Sequence, residues 1–351
     1  MRGRMVFLLV AGVFLLLLFF GTNGSVQAAD KVIELSYSSQ FPQGHHISKA
    51  TVLWAQEVEK RTSGRAKITI YYSGTLTSIP ACYEGVVRGL SDTGECLPAM
   101  TRGRFPLMEA VDLPGYPFNA VVTSRVANEF NKKFQPKEFD ETHVLYIHAH
   151  PPGGMFFRTK PVKSLEDLKG LRIRCTGLSA KIVQALGGTP VAMPKLEQYD
   201  AMQRGLVDGT VAPPNELIAY KVAEVAKYFT VYPPAGYVTA FACVMNKSRW
   251  NSLPPDIQKA FTEASEPMPE ILGKAWNGRE AEGIQYGNKV GHKFIFLTAQ
   301  EGARWDKALK PLFDEYLKSM EAKGLPGKEA LAYRQQLIDN YSKTYPALKF
   351  D

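Results

Sequence analysis

Cysteine is scarce in this chain of 351 residues: there are four, Cys82, Cys96, Cys175 and Cys243, with no CxxC pair and no Cys/His cluster at metal spacing. That argues against a zinc site, and neither a metal nor a cofactor is assigned. Catalytic signatures are missing too. There is no GxSxG, no HExxH, no P-loop and no GxGxxG after a strand, so nucleophile elbows, zinc peptidase helices and nucleotide cradles are not indicated. After Phe20 no apolar run is long enough to span a bilayer, which takes about 20 residues. Charge of one sign is not concentrated either: Lys+Arg 42 stand against Asp+Glu 34, interspersed as in Glu57, Glu59, Lys60 and Arg61, which gives no footprint for nucleic acid.

What is present begins with the leader. Arg2 and Arg4 precede the apolar run Met5 to Phe20, and a polar stretch leads to Val26-Gln27-Ala28. A basic start, a greasy helix and small residues at the −3 and −1 positions make residues 1–28 a secretory signal peptide, cleaved near Ala28, and point to the periplasm. About 320 residues then remain, enough for two α/β lobes. Without Arg2 and Arg4 the formal charge falls from +8 to +6, mild enough to suit a small anionic ligand. In an oxidising compartment Cys82–Cys96 is the nearest pair for a disulfide, but a chain of this size does not need one, and free buried thiols are the expectation.

Periodicity predicts a strand at Lys31 to Ser39, a helix at Ile47 to Lys60, a strand at Ala66 to Tyr72 and a short helix at Ala81 to Gly89. The same alternation recurs in the middle: strands at His143–His150, Leu171–Cys175 and Pro190–Met193, and helices at Ser164–Lys169, Ser179–Leu186 and Leu196–Arg204. From Pro254 onward the chain reads as mainly helical, with one short strand at Phe294–Phe296. Two α/β runs imply two lobes with long C-terminal helices.

Ser164 to Cys175, SLEDLKGLRIRC, carries the most chemistry. Ser164 and Asp167 fit a capped helix start, Gly170 ends the turn, and Leu171, Ile173 and Cys175 share one face of the next strand, so that Arg172 and Arg174 share the other. An arginine at the carboxyl end of such a strand points to where α/β folds bind ligands, and its planar fork can hold a carboxylate with two parallel hydrogen bonds. A surface salt bridge is the competing fate. His45-His46, His148 and His150 could move protons or bind metal, against the simpler reading of loop and strand residues.

Six stretches occur together and in order: the FPQGH loop after the first strand, GRAKITIYYSGTL (Gly64–Leu76), FPLMEAVDLPGYPF (Phe105–Phe118), KPVKSLEDLKGLRIR (Lys160–Arg174), GLVDGTV (Gly205–Val211) and the leader itself. In this the chain resembles the solute-binding subunit of a tripartite ATP-independent periplasmic (TRAP) transporter, DctP type. The resemblance implies a class II-like two-lobe periplasmic binding protein with an interlobe cleft, in which Arg174 grips a carboxylate. It also implies cleft walls at Gln40 and Phe41, at Cys96 to Met100, and at Ala212, Pro213 and Asn215. Two departures from relatives stand out. Where many carry a second arginine this chain has PPGGMFF (Pro151–Phe157), and Pro267 and Pro269 would interrupt a long late helix.

These readings combine into an organic-acid binder. Lobe I takes residues 30–151 plus 237–278, and lobe II takes 152–236 plus 279–351. Arg174 supplies charge, and Phe41, Met100, Met155, Phe156, Met193 and Tyr237 are candidates for an apolar wall, with Gly153-Gly154 leaving room. Without the second arginine a monocarboxylate with an apolar or aromatic body is favoured over a dicarboxylate. The expected partners are TRAP membrane permease subunits, with the protein itself a monomer. A ligand-sensing binding protein for a membrane receptor and an exported enzyme using His148 or His150 are the alternatives.

Overall fold

The computed structural model describes residues 32–101 and 103–350; the leader lies outside them. Two sheets carry the fold. The first contains β1 (Ile33–Ser38), β2 (Ala66–Tyr71), β3 (Thr93–Cys96), β4 (Thr142–Ala149) and β10 (Ala240–Asn246), in the order β2-β1-β3-β10-β4. β1 runs parallel to β2 and β3, whereas β10 is antiparallel to both its neighbours. The second contains β5 (Gly154–Phe157), β6 (Arg172–Cys175), β7 (Thr189–Ala192), β8 (Gly209–Ala212), β9 (Tyr228–Val231) and β11 (Lys293–Phe296), in the order β11-β9-β5-β8-β6-β7. This is the two-lobe α/β arrangement that the sequence predicts.

The predicted elements fall within a residue or two of those observed: the first helix runs His46–Arg61 and β6 spans Arg172–Cys175. Periodicity predicts no strand for β10, AFACVMN. Its first six residues are all buried, because a central strand covered on both faces shows no polar alternation.

The chain passes between sheets at residues 150–153 and again at 236–239, and the two crossings touch: the Gly153 amide donates to the Tyr237 carbonyl at 2.9 Å. A third link is the helix Met268–Lys289. Pro267 and Pro269 do not interrupt it, contrary to expectation. They sit at its start, where a missing N–H costs nothing and a fixed φ favours helix entry. Two of its glycines allow backbone-close packing at both ends: a Cβ at Gly273 would lie 2.7 Å from the Val121 Cα in the first lobe, and one at Gly283 would lie 2.5 Å from the Pro214 carbonyl oxygen in the second.

The C-terminal helices divide between the lobes. Ala299–Ala322 packs on the helix Leu178–Ala185, but Gly327–Thr344 packs on Ala120–Phe134 of the first lobe, not with the second as the expected boundaries had it. Arg334 fixes that contact: buried at 2 % exposure, it donates to the carbonyls of Leu113 (2.6 Å) and Pro114 (2.7 Å). Among the described residues no helix is long and apolar enough to cross a membrane.

Candidate functional site

Arg174 stands at the carboxyl end of β6 and is 4 % exposed. Its Nε and Nη2 both donate to the Met193 carbonyl, at 3.0 and 2.9 Å. This uses one edge of the guanidinium to fix its orientation and leaves the Nη1 end for an anion. No carboxylate among the described residues is paired with it. Arg172, on the same face two residues earlier, is exposed and held by Asp208 (3.1 Å) and the Gly205 carbonyl (2.8 Å). Arg172 thus meets the surface salt bridge, whereas Arg174 is buried and oriented by a backbone carbonyl.

Beside Arg174 lies an ion pair that sequence reading missed. Lys195 pairs with Glu216, whose side chain is 5 % exposed. Gln198 donates to the other Glu216 oxygen at 2.9 Å and accepts from the Thr210 hydroxyl at 3.0 Å, so Glu216 is fixed by a buried network. Burial holds the Lys195 ammonium below its usual range, with Arg174 adding repulsion and Glu216 opposing both. A buried arginine, a half-buried lysine and a buried carboxylate leave a single net positive charge.

An aromatic cluster gathers on the first-lobe side, with Tyr237 and His150 as its members nearest the charged groups. Phe41 stacks on His45 (4.3 Å, 7°), and Trp276 meets His46, Phe41 and His150 edge-on at 4.6, 5.9 and 6.0 Å. Phe241 stacks on His148 at 4.9 Å. Tyr237 joins the two halves: its ring meets His150 at 4.8 Å, and its hydroxyl, pushed up by burial, feels Glu216 and Arg174. Burial lowers His45 and His150 to about 4 and His46 to about 2, so at neutral pH these three imidazoles carry no charge.

The two strand histidines are committed to structure. The Trp276 indole N–H donates to His148 Nδ1 (3.3 Å), which puts the His148 proton on Nε2, facing Glu95 Oε1 at 2.7 Å. His150 Nδ1 donates to the Pro151 carbonyl at 2.6 Å. Neither arrangement resembles a base aimed at a substrate.

Asn215 is oriented from the long helix: its amide donates to Glu280 Oε2 at 2.8 Å and its side-chain nitrogen to Oε1. Burial raises the Glu280 carboxyl to about 8 against those two donors. Asn215 and Ala219 line a cavity of about 120 Å³ whose other wall is Gly44, His45, His46 and Lys49, with Arg279 between.

The remaining predicted residues separate. Ala212 and Pro213 are buried where β8 leads into the Asn215 turn. Met193 serves through its carbonyl, while its side chain packs with the second-lobe core. Gln40 is half-buried, with its Nε2 enclosed and unpaired. Met100 is 39 % exposed. Phe156 is not a wall residue: fully buried, it packs on Phe229 at 4.6 Å and His292 at 5.5 Å, and Met155 likewise lies in a core cluster. Nor does Gly153-Gly154 leave room. A Cβ at Gly153 would sit 2.1 Å from the Tyr237 ring and one at Gly154 2.3 Å from the Phe229 ring, so aromatic rings fill the space.

Residues 37–319 match the sequence model of the DctP family, bacterial extracellular solute-binding protein family 7. The C4-dicarboxylate-binding periplasmic protein DctP of Rhodobacter capsulatus is 31% identical over 175 residues, 48% of this chain and 51% of that protein. Among solved structures, a TRAP periplasmic solute-binding protein of Desulfovibrio salexigens, open and with the C-terminus of a symmetry mate in its ligand site, superposes with a TM-score of 0.83 at 30% identity over 92% of this chain and all of the other. One from Rhodoferax ferrireducens, in complex with copurified benzoate, gives 0.81 at 28% identity over 89% and 99%.

Proposed function

On the premise that this chain belongs to bacterial extracellular solute-binding protein family 7 and is a TRAP periplasmic solute-binding protein, we propose that it captures a monocarboxylate with an apolar or aromatic body and delivers it to a TRAP membrane permease. The observation that carries this reading is the charge balance at the clamp. Glu216 occupies Lys195 and Glu282 holds Arg279, so Arg174 has one positive charge to offer at the buried cluster and a second buried carboxylate would go unmatched, at several kcal/mol. The uncharged wall of Phe41, His45, Trp276 and Tyr237 would receive the body, where apolar surface leaving water favours binding by roughly 25 cal/mol per Å².

The benzoate found with the Rhodoferax ferrireducens protein supports the aromatic reading, whereas the Rhodobacter capsulatus relative is named for C4-dicarboxylates. A thermal-shift screen separates the two. Ligand that binds only the folded chain raises Tm, so benzoate, mandelate and branched-chain acids should give larger shifts than succinate and malate. Larger shifts with the C4 dicarboxylates would refute the proposal.

The leader, the crossing strands and the clamp together suggest the working cycle: export, closure of the lobes on the acid, and release at the permease. Contacts to both lobes favour the shut state, and the crossings at 150–153 and 236–239 absorb the rotation.

A further inference from the structure

Cys82 opens the helix Cys82–Val87 and Cys96 ends β3. Their sulfurs lie 3.2 Å apart, with residue exposures of 3 % and 1 %. Helix and strand approach this closely because residue 94 is glycine: a Cβ there would come within 2.8 Å of the Cys82 sulfur and 2.9 Å of Val86 Cγ2. The other two thiols are placed out of competition. Cys243 pairs across from Glu95, hence on the opposite face of the sheet from Cys96, and Cys175 belongs to the other sheet. Among the described residues no group of metal-ligating side chains gathers around any of them.

We propose that Cys82 and Cys96 close an intramolecular disulfide that ties the helix to β3 in the exported protein. A bonded pair needs the sulfurs about 1 Å closer than the 3.2 Å observed. Burial means that the exchange takes place while the chain is folding, before the helix seats. One thiolate attacks a small disulfide oxidant and releases one thiol. The second thiolate then attacks the mixed disulfide and releases the other, so two protein thiols are oxidised as one oxidant disulfide is reduced. The tie would lie in the first lobe just before Leu97–Met100 and close to Ser38, which precedes Gln40 and Phe41. It rests on the periplasmic assignment only for its supply of oxidant.

The test is made on the full chain expressed with its own leader, recovered from the periplasm, and alkylated in denaturant without reductant. Before alkylation the protein should be about 2 Da lighter than its reduced form, and after alkylation it should carry two adducts, on Cys175 and Cys243. Arg88 lies between the paired cysteines, so trypsin should give two peptides joined through Cys82 and Cys96. Dithiothreitol should lower Tm by about 3–6 °C. In parallel, the reduced, unfolded chain is refolded with oxidised glutathione. Four alkylated cysteines, or a link to Cys175 or Cys243, after that refolding overturns the pairing. A link formed on refolding but missing from the periplasmic sample upholds the pairing and overturns the compartment instead.

Discussion

Replacing Glu216 by Gln removes one negative charge from the clamp while keeping the side chain's shape. Gln198 donates to Glu216 at 2.9 Å, and an amide oxygen in the same place can still accept that bond, so the buried network persists. Lys195 loses its partner. Because its side chain is 28 % exposed, water compensates part of that loss, and a lower Tm is expected but not unfolding. The freed ammonium, next to Arg174, then becomes a second docking point for a carboxylate. A hydrogen bond to a charged group contributes about 1.5–3 kcal/mol, so succinate should bind roughly 10–100-fold more tightly than to the parent, while a benzoate-type acid changes little. The pH dependence supplies a second signature. With Glu216's upward pull gone, burial and Arg174 both hold Lys195 below its usual range, so the gain in dicarboxylate binding is lost as pH rises through the titration of that ammonium, whereas monocarboxylate binding does not follow it. Titration calorimetry at two pH values reads both effects. Succinate affinity within threefold of the parent would show that Lys195 does not face the ligand and would refute the charge-balance reasoning.

Two further outcomes follow from the same geometry. Arg174→Ala should weaken carboxylate binding by about 2–5 kcal/mol with the far-ultraviolet spectrum unchanged, and Arg174→Lys should restore little, since a lysine cannot both hold the Met193 carbonyl with two donors and reach the ligand; calorimetry on both variants checks this. Asp112 is buried, accepts from the Ala240 amide at 2.9 Å and is raised from 3.8 to about 7. Between those values the folded state keeps a proton that the unfolded state has lost, so its contribution to stability is present below about pH 4 and fades as pH rises to about 7, by up to about 1.4 kcal/mol per pH unit. Asp112→Asn should flatten that part of the Tm profile.

Arg174 was legible in the sequence because strand alternation and a glycine turn before β6 fix which way it points. Lys195 was not, since a lysine in the short turn after Pro194 has no periodicity to read. The aromatic cluster is legible only in part: the sequence points to Phe41 and Tyr237, but Trp276 and Phe241 join it from segments about two hundred residues away from Phe41, and nothing local marks them. Phe156 was misplaced for the opposite reason. On a strand buried on both faces, alternation says that two sides exist without saying which one meets the cleft. At Gly153-Gly154 the missing side chains were visible, but not the rings of Tyr237 and Phe229 that take their place.

The long helix deserves to be seen as a ruler. Trp276 belongs to the aromatic wall and Glu280 holds Asn215 on the other side, and these two residues are one turn apart on the same rod, about 6 Å along its axis. Gly273 and Gly283 seat that rod against Val121 and Pro214 with no slack for a methyl group. The distance between the indole and the asparagine is therefore set by helical rise and not by loop length. Substitutions in the loops can change which groups stand beside Trp276 and Asn215, but the spacing between those two residues changes only if the helix itself is reseated.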